Sequence, residues 1–190
     1  MALTAPQQAT LKAYVEADHV LSLKTPSAQS ASEIKVALAV EVTPAWYVYR
    51  TNMPKQEVQN AVLYANMTPA QAIPANNTNE ALQIWIAKNL LAQGKQLNLQ
   101  NLLLGNDNIN FALPNIRAGF QDALTFLPTK NDGTTQQAGW PALQLLISRS
   151  ANTLEKLLAT GTGSQASPAT MGYEGTVNEN DIGTAMGWSF

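Results

Sequence analysis

The chain has 190 residues, no cysteine and a formal net charge of −2; that is enough for one domain with a real core, and it excludes disulfides, thiolate chemistry and cysteine-ligated metals. Its 11 lysines and arginines are scattered singly, so no basic patch exists to release counterions from a phosphate backbone and sequence-specific nucleic-acid binding is not expected. Charged residues make up only 13%, about half the usual share.

The polar surface is instead rich in amides, with 17 Asn and 15 Gln. Amides are buried without the desolvation cost of a charge, which suits a surface covered by neighbouring subunits; compositional drift would give the same balance. No apolar run approaches the length of a membrane span, and the N-terminus lacks a charged-then-apolar leader pattern. No membrane partner and assembly in a cytoplasm are therefore expected.

In chain order, Thr4 and Gln7 fit a capping box that opens a helix with Leu11, Tyr14 and Val15 on one face, ending near Asp18-His19. Thr25-Pro26-Ser27 reads as a turn. Ser32 is placed to cap a short helix from Glu33 to about Ala39, although Ile34, Val36 and Leu38 also alternate as in a strand. Ala45 to Arg50 (AWYVYR) is the best strand candidate, being aromatic and β-branched; an extended segment with no sheet partner fits it equally. Asn52 and Pro54 open a helix to about Ala65, with Val58, Val62 and Leu63 inward.

Residues 66–79 are turn chemistry. Glu80 to Gln93 is helical, with Leu82, Trp85, Ile86 and Leu90 as its stripe and Gly94 as its end. Leu97 to Leu104 is a second apolar run, closed by a turn at Gly105–Asn108. Pro114 starts a helix burying Ile116, Phe120, Leu124 and Leu127, and a polar loop follows over 129–139. From Trp140, the residues Leu143, Leu146, Ile147, Leu154, Leu157 and Leu158 recur at helical spacing and predict one long helix. Gly161, Gly163 and Ser167-Pro168 end it.

The spacing predicts a mainly α fold: about six short helices around one core, at most a small β element near Trp46–Tyr49, a helical domain over 1–160 and an extended C-terminal arm over 161–190. The arm has no Lys or Arg after Lys156, no helical stripe and several glycines, so ordering it alone is costly in entropy. Tyr173, Val177, Ile182, Trp188 and Phe190 are expected to be its partner-binding anchors, apolar and mostly aromatic as interface anchors are.

Chemistry is hard to find. His19 is the only histidine, and no two carboxylates share a helix face. Gly161-Thr-Gly-Ser164 follows a helix where a phosphate loop precedes one, and GxSxG and HExxH do not occur. No catalytic residue, cofactor or metal is expected.

The run EKLLATGTGSQASPATMGYEGTV from Glu155 to Val177, the opening MALTAPQQATLKAYVEAD and the YRTNMP of Tyr49–Pro54 resemble a family of small tailed-bacteriophage virion proteins encoded among head and neck components. The resemblance is strong at both ends and poor between about Asn66 and Gln137, where this chain is the longer. It implies a virion structural protein assembled in the host cytoplasm, foremost a head-to-tail connector or adaptor in the neck. Its partners would be copies of itself in a ring and the portal or tail proteins, locked together by an arm. A tail terminator, a head-completion protein or a decoration protein are alternatives within the virion. A rival of another class is a small-ligand or carbohydrate-binding module that stacks ligand on Trp46, Tyr47 and Tyr49.

Overall fold

A computed structural model describes residues 2–67, 78–125, 127, 137–174 and 176–190. Among these the protein is mainly α. The elements are α1 (Ala5–Ala17), α2 (Ala28–Leu38), β1 (Tyr47–Tyr49), β2 (Met53–Pro54), α3 (Lys55–Ala61), α4 (Tyr64–Met67), α5 (Asn79–Leu103), β3 (Asn108–Ile109), α6 (Pro114–Leu124), α7 (Trp140–Leu146), β4 (Ser148–Ser150), α8 (Thr153–Leu158) and α9 (Glu179–Met186), with a 3-10 turn at Leu21–Leu23. Most of the loops expected at 66–79 and 129–139 lie outside the described residues. The chain divides into two compact units, Met1–Tyr49 with Ser148–Phe190 and Arg50–Ile147, in place of one domain over 1–160 and an arm.

The first unit is built on helices whose caps are written in the sequence. Gln7 Oε1 accepts from the Thr4 backbone N–H at 2.9 Å, closing the expected box at the head of α1. α2 starts earlier than expected: the Ser27 hydroxyl, not that of Ser32, accepts from the Ser30 amide at 3.1 Å. Leu11 and Val15 of α1, with Ala31, Ile34 and Leu38 of α2, form one buried cluster with Leu154 of α8.

The long helix expected from Trp140 is broken. α7 ends at Leu146, the chain runs extended through β4, and α8 restarts at Thr153 under its own Asn152–Glu155 capping box. The reason is a partner distant in sequence: β4 pairs antiparallel with β1, Tyr47 opposite Ser150 and Tyr49 opposite Ser148. On its other side β1 donates from the Tyr47 amide to the Gly163 carbonyl and from the Tyr49 amide to the Ala169 carbonyl, and its Tyr47 carbonyl accepts from the Ala169 amide. Val48, Ala151 and Ala169 form a small second core here.

The second unit centres on α5, a helix of 25 residues capped by Thr78, whose hydroxyl accepts from Ala81 at 3.2 Å. It runs straight through Gly94, so the expected helix of 80–93 and the apolar run of 97–104 are one element. α5 packs on α6, burying Ala92, Lys95 and Leu99. Lys95 Nζ donates to the Asp122 carboxylate at 2.8 Å and to the Asp122 carbonyl, so this buried ammonium is paired with a carboxylate. Met53, Val58, Phe111, Phe120, Leu124, Leu127 and Leu143 are buried in this unit, and the Phe111 and Phe120 rings sit 5.2 Å apart.

Candidate functional site

The expected anchors of the C-terminal segment do not form a free arm. Among the described residues, none between 161 and 178 is helical, but Thr160 and Thr170 exchange backbone bonds at 2.9 Å, and the Gly172 carbonyl accepts from Gln7 Nε2 at 2.7 Å. The chain then forms α9, capped by Asn178 and ended by Gly187 in the left-handed region. α9 packs against α1 and α2, and Lys35 pairs with Glu179 at 3.1 Å.

Tyr173, Val177 and Ile182 are accordingly core residues, 5%, 2% and 0% exposed. Burial, then the charge of Asp181, raises the Tyr173 pKa above its ordinary value. Trp188 is half-buried against the same core, and only Phe190 is exposed, at 53%. The expectation of five partner-binding anchors is thus corrected for three of them. The physical reason is composition: apolar residues spaced along a glycine-rich segment look like anchors when no local period shows that they share a face.

The three aromatics proposed as a stacking surface are also separated. Trp46 belongs to the small core with Val48, whereas Tyr47 and Tyr49 alternate away from Val48 on β1. The Trp46 ring lies directly on Gly163, where a Cβ would come within 1.8 Å of it. One ring face is therefore already covered, and the three do not share a platform.

The best-formed electrostatic cluster is Arg149 with Glu155. The guanidinium donates to both carboxylate oxygens, at 2.8 and 2.6 Å, and the Asn152 amide donates to one of them at 3.1 Å. Burial pushes the Glu155 carboxyl up, but the Arg149 and Asn152 hydrogen bonds outweigh it and hold the pKa below the ordinary value. Glu155 is 4% exposed and spends its oxygens on these contacts. The pair fastens β4 to the first turn of α8 and is a structural device.

Two concave or apolar features of the surface remain. In the first unit a cleft of about 550 Å³ is lined by Tyr14, Glu41, Val42, Thr43, Thr153, Lys156 and Leu157. It holds one acid and one base, and no group of three metal-ligating side chains occurs among the described residues. In the second unit α5 leaves large aliphatic side chains in solvent: Ile84, Ile86, Leu90, Leu91 and Leu97 are each about half exposed or more. The expected stripe of Ile86 and Leu90 is therefore not a core stripe. Sequence reasoning missed this face by ending the helix at Gly94; the signal was there, since Gln93-Gly94-Lys95 carries no other turn residue.

Compared with known proteins, the chain matches no family model, no curated protein and no solved structure. No helix among the described residues is long and apolar enough to cross a membrane.

Proposed function

We propose that this chain is a structural protein of a tailed-bacteriophage particle, a head-to-tail connector or adaptor of the neck that binds copies of itself and the portal or tail proteins. The observation that carries this reading is the resemblance of Glu155–Val177, together with the opening residues and Tyr49–Pro54, to small virion proteins of the head and neck region. A chain with only 13% charged residues and a row of exposed aliphatic side chains on α5 supports it, because an exposed apolar face gains from being covered by protein. Docking by an unfolded arm forms no part of this reading, since α9 lies on its own core; Trp188 and Phe190 are what that end offers a partner.

The experiment is a phage in which this gene carries an early stop codon. A connector predicts DNA-filled heads and free tails that fail to join, with joining restored by the purified protein. Tails of irregular length would indicate a tail terminator, leaking heads a completion protein, and intact but fragile particles a decoration protein. Fully normal, infectious particles would refute a virion role.

A further inference from the structure

One face of α5 carries a pattern that its own unit does not use. Gln83, Ala87, Leu90, Gly94, Leu97 and Asn101 recur at alternating intervals of four and three, the 3.5-residue period of a helix-pairing seam. All six are exposed, Leu90 at 61% and Leu97 at 58%. The seam contains no charge. Gly94 is its notch: nothing lies within 4 Å of where its Cβ would be, and its φ does not call for glycine. Glycine inside a helix is less favourable than alanine by about 1 kcal/mol, so the unit's own packing gives no reason for it.

Read backwards, the same six residues complement themselves. Placed antiparallel about Ala92, Leu90 falls on the partner's Gly94, Leu97 on the partner's Ala87, and Gln83 on the partner's Asn101. Large meets small at four positions and amide meets amide at both ends. Beside the seam, Leu91 meets its own counterpart. A parallel arrangement would set leucine on leucine and glycine on glycine, giving alternate clash and void.

We infer that two copies of this chain pair through α5, antiparallel and about a two-fold axis near Ala92, with Leu90 of each copy seated on Gly94 of the other. The seam spans about 27 Å at 1.5 Å per residue and is about one helix diameter, roughly 10 Å, wide. Allowing for corrugation, it covers on the order of 500 Å² per copy, about 1,000 Å² in all, which is the lower limit for a specific interface. The pairing is therefore weak and depends on concentration. It goes beyond the neck reading: an isologous contact closes on itself, while a ring needs a head-to-tail contact on another surface.

Light scattering on size-exclusion fractions of the purified full chain is expected to show a mass rising from 20.4 kDa toward twice that value over about 1–100 µM, the range of a weak complex. Gly94→Leu improves helix propensity, and nothing in the monomer lies within 4 Å of the new Cβ, so it should leave the melting temperature equal or higher while weakening pairing at least tenfold. The natural chain has no cysteine, which permits a second test independent of that variant. A chain with Leu90→Cys mixed with one carrying Gly94→Cys is expected to cross-link on oxidation, and neither alone. A parent chain that stays monomeric at 100 µM, a Gly94→Leu chain that pairs as tightly as the parent, or cross-linking by Leu90→Cys alone would each overturn the inference. These readouts use purified protein and the neck reading is tested on particles, so either can fail without the other.

Discussion

Ile182→Ala tests whether the C-terminal segment belongs to the core. Ile182 is 0% exposed and sits on α9, which packs against both α1 and α2. Truncating a buried Ile to Ala costs about 2–5 kcal/mol, with the upper part of the range where the surroundings cannot collapse into the cavity. Ile182 shares its cluster with Leu11, Val15, Ile34 and Leu38 of both helices, so about 3 kcal/mol or more is expected. For a domain of up to about 100 residues each kcal/mol moves the melting temperature by about 4–8 °C, which makes the expected fall at least about 12 °C. The assay is thermal unfolding by circular dichroism, with Thr184→Ala, an exposed change on the same helix, as a control expected to stay within about 0.5 kcal/mol. An Ile182→Ala chain melting with its parent would refute the reasoning and return α9 to the role of a detachable arm.

Removal of everything after Ser167 takes Tyr173, Val177, Ile182 and Ala185 from the same cluster and is expected to leave the first unit unfolded, read as loss of resistance to limited proteolysis; a soluble, protease-resistant truncation would contradict it. Leu154→Ala, at 3% exposure, is expected to cost about 2–5 kcal/mol, whereas Leu146→Ala, at 42%, should cost far less, and equal costs in urea titration would mean that the two still share one helix stripe. Glu155→Gln is expected to cost about 1–3 kcal/mol at neutral pH. Because the folded-state pKa of Glu155 is depressed, the contribution is present above the ordinary glutamate value of 4.5 and is lost as pH falls through the folded value, so the two melting curves should converge in acid; a gap constant down to acid pH would show that the ion pair is not its source. Gly163→Ala, at φ +67 with its Cβ 1.8 Å from Trp46, should cost at least about 1 kcal/mol and shift tryptophan fluorescence, and an unchanged spectrum would mean that the ring does not rest there.

What the sequence disclosed was local. The Thr4–Gln7 box, Pro114 at the head of α6 and the inward Phe120 and Leu124 follow from interactions within one or two turns. The strand at Tyr47–Tyr49 was legible from its side chains, but its partner was not. Ser148-Arg149-Ser150 lies within a run at helical spacing and becomes a strand only because β1 arrives from about a hundred residues earlier. The same limit hid the fate of α9: nothing near Ile182 reveals that Leu11 and Ile34 lie opposite it. In α5 the error ran the other way, since a glycine that ends many helices is here carried inside one.

The backbone bond from the Arg50 amide to the Ile147 carbonyl, at 2.8 Å, continues the β1–β4 ladder by one rung. The chain from Thr51 to Leu146 is thus, in topological terms, the loop of a hairpin. Closing a loop costs only about 0.6 kcal/mol more for each doubling of its length, so passing from a two-residue turn to the present excursion costs on the order of 3 kcal/mol. In terms of chain entropy, the strand pair therefore sets almost no condition on the length of the segment inserted between its two strands. Whole modules could be lengthened, exchanged or deleted there while the chain ends went on folding together.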